Sequence, residues 1–107
     1  MSADRIRELN DAFRRTFSGG TVMLSASVAE LPDMVKADAL HQTATYDAFT
    51  ADNDPHGEHD FGSFELVGRK FFWKIDYYDA DCCYGSENPG DPHLTTRVLT
   101  LMLAEDY

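Results

Sequence analysis

Six side chains able to bind a metal or move a proton fall within nine residues of this chain: Asp52, Asp54, His56, Glu58, His59 and Asp60. Three chemistries suit them. Asp52, Asp54 and Asp60, with Gly57 between them, match positions one, three, nine and six of an EF-hand calcium loop. The bidentate glutamate that closes such a loop is replaced by Ser63, and His56 stands at the fifth position, so that geometry is not expected. Asp52, Asp54, His56 and His59 form a candidate transition-metal set, since imidazole and carboxylate suit such ions. His-x-x-His lacks the further ligands at defined spacing that mark a metal site. Glu58, His59 and Asp60 form a candidate acid–base group, because a carboxylate beside an imidazole favours the charged ring. Ser63 and Cys82 qualify as nucleophiles by type alone, and the chain has no Gly-x-Ser-x-Gly, phosphate loop or dinucleotide fingerprint. The expectation is therefore a structural turn, with Asp and Asn bonding their own backbone and His59 satisfying backbone groups at the head of the next strand.

Charge is the strongest compositional feature. Asp and Glu number 19 against 9 Lys and Arg, a net charge of −10 over 107 residues. No Lys or Arg occurs between Ala37 and Gly68 or between Ile75 and Thr96. Such a field repels phosphates, which argues against direct contact with nucleic acid or an anionic membrane and favours a cation or a basic protein surface. Hydrophobic content of 43% is that of a globular chain, and the length suits one domain over residues 1–107. No run reaches the roughly 18 apolar residues of a membrane span, and MSADRIRELND lacks a signal peptide's apolar region, so the expected compartment is cytoplasmic. Cys82 and Cys83 are adjacent, and a bond between neighbours would staple nothing, so they are expected as free thiols in a loop.

The elements that must position these residues follow from periodicity. Ser2 caps a predicted helix whose stripe is Ile6, Leu9, Phe13 and Phe17, stopped at Ser18-Gly19-Gly20. Thr21 to Val28 reads as a strand with Val22, Leu24 and Ala26 on one face. Leu31-Pro32-Asp33 opens a second helix, buried along Leu31, Val35, Ala39, Tyr46 and Phe49 and ending near Thr50. A hairpin turning at Gly68-Arg69 sets Leu66 opposite Phe71, Phe64 opposite Trp73 and Gly62 opposite Ile75. Its other face sets Glu65 opposite Phe72 and Ser63 opposite Lys74, and leaves Phe72 and Tyr78 as apolar residues on an otherwise polar side. Asp79 to Asp91 reads as a loop. Asp91-Pro92 then caps a last helix with Leu94, Val98, Leu99, Leu101, Met102 and Leu103 on its apolar face. The expected fold is an α+β two-layer domain, order α-β-α-β-β-α, with helices on a small, mainly antiparallel three-stranded sheet. Aromatics on single-strand nucleic-acid binders come paired with Lys and Arg; here acids surround them, so Trp73 and Phe71 are expected in the core.

The segments RIRELN, GGTVMLSASV, DNDPHGEHDFGSFEL, FFWKIDYYD, YGSENPGDP and TTRVLTLMLAEDY resemble a bacterial family known as domain of unknown function 3768, over nearly the whole chain. HDFGSFE and WKIDYYD are the specific part, and Cys82-Cys83 falls where ordinary loop residues are expected. The resemblance implies no activity or cofactor; it implies an association with plasmids, prophages and other mobile DNA, often among genes for evading host defence. Together with the acidity, it leads to the expectation of a non-enzymatic binding protein that occludes the basic surface of a host CRISPR or restriction effector. Asp52, Asp54, Glu58, Asp60, Asp76, Asp79 and Asp81 would supply the phosphate-like charge, with Phe72 and Tyr78 as an apolar anchor. The alternatives are an enzyme centred on Glu58, His59 and Asp60, or on a metal held by the turn, and a plasmid-maintenance module using the Phe72–Tyr78 side of the sheet.

Overall fold

The computed structural model describes residues 3–107; Ser2, read as a helix cap, lies outside them. The first helix, α1 (Ala3–Thr16), buries Ile6 and Phe13 as its apolar spacing requires. Asn10 and Arg14 lie on the same face and are also buried. Phe17 ends the helix in the left-handed region, at φ 56°, with its N–H on the Phe13 carbonyl, the place glycine usually fills.

Strand β1 (Gly20–Leu24) is shorter than expected. Ser25 accepts the Val28 N–H and starts the one-turn helix α2 (Ala26–Ala29), which carries Val28 into the core. Helix α3 (Asp33–Thr45) begins after Pro32 as predicted but stops before Thr50. The backbone turns extended at Tyr46 (ψ 132°) because Arg14 donates to the carbonyls of Thr43, Ala44 and Tyr46. Leu31, Val35, Ala39, Tyr46 and Phe49 all reach the core nevertheless.

The hairpin comprises β2 (Phe61–Leu66) and β3 (Arg69–Tyr78). Its turn is Val67-Gly68, not Gly68-Arg69: both residues have positive φ, 51° and 73°, the primed turn whose twist matches that of paired strands. The register therefore slips by two from the expected one, to Phe64 opposite Phe71, Gly62 opposite Trp73 and Ser63 opposite Phe72. An even slip keeps every side chain on its predicted face. Phe71, Trp73 and Ile75 are buried and Phe72 and Lys74 are not.

The larger correction concerns the last helix, which is a strand, β4 (Thr96–Leu103). Asp91 does accept the His93 N–H, but it closes a turn rather than opening a helix. Arg97, Leu99, Leu101 and Leu103 face the helices, while Thr96, Val98, Thr100 and Met102 face away, the alternation of a central strand. β4 pairs antiparallel with β3 and parallel with β1, so the sheet is four-stranded and mixed, in the order β1-β4-β3-β2. The result is a small α+β domain whose helices cover one face of the sheet. A short 3₁₀ turn (Ala104–Asp106) follows β4.

Trp73 is the centre of the core. It is fully buried, edge-on to Tyr46 and Phe49, and its indole edge lies on Gly62. A Cβ at Gly62 would stand 2.5 Å from the indole nitrogen. Among the described residues that nitrogen has no hydrogen-bond partner. Gly62→Ala is therefore expected to destabilise the fold by about 2 kcal/mol through overpacking, read as a lower urea midpoint with the slope unchanged.

Candidate functional site

The turn that carries the candidate ligands is folded onto α1. Thr50 and Asn53 exchange side-chain and backbone bonds of 2.8 and 3.2 Å, and Asp54 accepts the His59 N–H at 3.2 Å, so these residues do bond their own backbone. Three successive residues are then tied to α1. Arg7 donates to the Gly57 carbonyl at 3.1 Å and Asn10 to the Glu58 carbonyl at 3.0 Å. The His59 Nδ1 lies 2.9 Å from Asp11.

His59 does not serve backbone groups as expected. Its ring is stacked on Phe49 at 3.7 Å, with Asp11 at Nδ1 and Asp54 at Nε2, 3.6 Å away. Both nitrogens face a carboxylate. Glu58 turns to the Tyr77 hydroxyl, which donates to it at 2.8 Å. Glu58, His59 and Asp60 thus have separate internal partners or surroundings and do not converge on one reacting point.

The transition-metal set is not gathered either. Asp52 and His56 are exposed, while Asp54 is held against His59 with its side chain only 6% exposed. Among the described residues, no three His, Cys, Asp or Glu side chains are grouped to hold a metal ion.

A polar network absent from the sequence reading lies behind the turn. The buried Asn10 donates to the Tyr77 hydroxyl at 2.7 Å and accepts from Arg97 Nε at 2.8 Å. Arg97, on β4, also donates to the Pro89 carbonyl, so one asparagine links α1, the turn, β3, β4 and the loop before β4. Burial pushes the Tyr77 hydroxyl well above the ordinary phenol range, with its donation to Glu58 adding to the shift. Burial also lowers Arg97 from its usual value. The one signal in the sequence was two polar residues, Asn10 and Arg14, inside the apolar stripe of α1.

The other candidates lie on the opposite, uncovered face of the sheet. Thr21, Met23, Lys74, Asp76, Tyr78, Val98, Thr100 and Met102 line a groove of about 620 Å³ there, with Cys82 and Asp106 at its border. Asp76 pairs with Lys74 at 3.1 Å. Phe72 packs with Phe61 and Tyr107 at the far end, beneath the Lys70 ammonium. Asp79 accepts the Cys83 N–H at 3.0 Å and Asp81 is exposed. Cys82 and Cys83 are free, exposed thiols, as expected. The acidic residues grouped by the sequence reading are thus two sets: Asp54, Glu58 and Asp60 lie in the helix-bound turn, and Asp76, Asp79 and Asp81 lie on or beside the open face. Asp52 is exposed at the tip of the turn.

Asp60 offers a test of the turn's structural role. Burial, and next the Glu58 carboxylate, hold its pKa above the ordinary aspartate value of 3.8. A carboxyl raised on folding costs stability as pH rises from the unfolded toward the folded pKa, and the cost is complete above the latter. Asp60→Asn is therefore expected to raise the melting temperature at pH 7, with the gain vanishing as the pH falls below about 3.8. Melting curves across that range check the sign.

No helix among the described residues is long and apolar enough to cross a membrane. No curated protein and no solved structure matches the chain. A family model described as a protein of unknown function, DUF3768, matches residues 24–106, from the end of β1 through the turn, hairpin, β4 and the final 3₁₀ turn. The chain belongs to that family.

Proposed function

We propose that this protein is a binding protein that acts without catalysis, engaging a basic protein surface through the open face of its sheet. The observation that supports this reading best is the contrast between the two acidic sets. The carboxylates of Asp54 and Glu58 are occupied by His59 and Tyr77, and Asp60 is half-buried. Asp76, paired with Lys74 of its own strand, instead lines an uncovered, largely apolar floor that includes Met23, at 55% exposure, and Tyr78, and Asp79 and the exposed Asp81 follow in the adjoining loop. Soft methionine and aromatic groups inside an acidic rim suit a cationic partner: the floor supplies contact area and the rim supplies orientation and association rate. Relative to the sequence reading, the contact shifts from Asp52, Asp54 and Glu58 toward Asp76, Asp79, Asp81, Phe72 and Tyr78.

The most concrete form of this function is occlusion of the nucleic-acid-binding surface of a host defence complex, of CRISPR or restriction type. Carboxylates would stand where phosphates bind, and the family's resemblance to proteins of mobile DNA motivates that choice of target. The partner is isolated by affinity capture from the host, and binding is then measured by titration calorimetry. The triple change Asp76→Asn, Asp79→Asn and Asp81→Asn is expected to weaken binding about tenfold at low salt, with a smaller effect at high salt. Duplex DNA should compete with this protein for the same partner. Salt-insensitive binding, or a triple variant with undiminished affinity, would rule out the charge-led mode.

A further inference from the structure

The sheet has two edges with different character. β2, at one edge, carries Glu65 and packs beside α3. β1, at the other, is unguarded. The chain has no charged residue from Thr16 to Ala29, although its net charge is −10. Its pairing with β4 runs without a bulge from Gly20 to Leu24, and it contains no proline or lysine. Edge strands normally carry such devices because a bare edge templates pairing with another chain.

The outer edge is available for hydrogen bonding. The Ser25 N–H donates inward to the Leu101 carbonyl at 2.9 Å. Backbone groups alternate sides along a strand, so Thr21 and Met23 also face β4, while Val22 and Leu24 direct theirs outward. Among the described residues, no hydrogen bond from outside the sheet reaches Val22 or Leu24. The neighbouring α2 sends Val28 into the core over the helical face.

We propose that β1 pairs antiparallel with β1 of a second copy of this chain, joining the two sheets about a two-fold axis. With Val22 opposite its own equivalent, Gly20 faces Leu24 and Thr21 faces Met23. At Gly20 the Phe13 ring fills the place of a side chain, so the leucine meets an apolar surface. Phe17, Val22 and Leu24 already extend the core to this edge, so the apolar layer continues from one copy to the other.

Charge selects the same surface. Two copies of a strongly acidic chain repel each other, and the stretch around β1 is where they approach with no like charges in contact. Asp106, held by Ser25 and Ser27 at 3.0 Å each, stands at one end of the edge, beside residue 19 of the second copy. The two Asp106 carboxylates are then separated by about 20 Å along strands that rise ~3.3 Å per residue, beyond the ~8 Å screening length at physiological salt. The axis runs perpendicular to the sheet, so both open faces lie on one side and present two grooves together.

Sedimentation equilibrium of the full chain over about 1 to 300 µM tests this. The expected result is a reversible dimer that tightens as salt rises, because screening removes the repulsion between copies. Thr21→Glu, on the exposed open face, is expected to weaken the dimer about tenfold while circular dichroism is unchanged. Val22→Pro removes an outward N–H without breaking the bonds to β4 and should weaken it further; if that variant fails to fold, Thr21→Glu carries the test. A monomer at every concentration and salt would overturn the proposal. So would a dimer that the folded variants leave intact. Partner binding weakens with salt and self-association strengthens, so either can fail without the other.

Discussion

The Arg14 guanidinium is the group on which the rest of the structure depends. It is buried to 2% exposure, and a cation so placed is tolerated only when it is surrounded by acceptors. It donates to three carbonyls at the end of α3 and to Asp11 at 3.1 Å. Its planar head also lies over Trp73 and Phe49, at 5.1 and 5.4 Å from the ring centres. Burial lowers its pKa from the usual value, and the Asp11 carboxylate opposes that shift. Arginine suits this position because its rigid fork reaches several acceptors while its face stacks on aromatic rings. A lysine would supply one compact charge and no such plane.

Several features follow from that contact. The end of α3 is capped by a side chain from another helix, which redirects residues 46–49 and brings Tyr46 and Phe49 onto Trp73. Asp11, fixed by Arg14, in turn receives His59, and His59 stacks on Phe49. The acidic turn is thus drawn against the helical layer, and the polar groups of Asp54 and Glu58 are satisfied within the molecule. The other side of the sheet, which no helix among the described residues covers, is where the proposed contact lies.

Fully satisfied buried polar networks rigidify the elements they join. Here α1, the turn, β3 and β4 meet through Asn10, Tyr77 and Arg97, residues from both ends of the chain. The open face of that sheet carries soft, exposed groups such as Met23 and Tyr78. The same sheet has an uncharged edge next to a groove lined by Asp76 and Asp106, so the two proposed contacts would respond to salt with opposite sign.

Much of this architecture is legible in the residues alone. The spacing of Ile6 and Phe13, and the alternation through Phe71, Trp73 and Ile75, define faces by local geometry. Those faces survive even where the hairpin register moved by two, because side chains in a strand repeat every second residue. Net acidity, the turn at residues 52–60 and the exposed thiols are likewise local properties. Tertiary structure decided what periodicity leaves open. The run Val98-Leu99-Thr100-Leu101-Met102-Leu103 suits a helix or a central strand equally, and pairing with both β1 and β3 made it a strand. It also decided which carboxylates remain available, since Glu58 is taken up by Tyr77 of β3 and Asp11 by Arg14 and by His59 of the turn. A polar residue in an apolar stripe announces that it needs a partner; only the folded chain, bringing Asn10 to Arg97 and Arg14 to Thr43, supplies one.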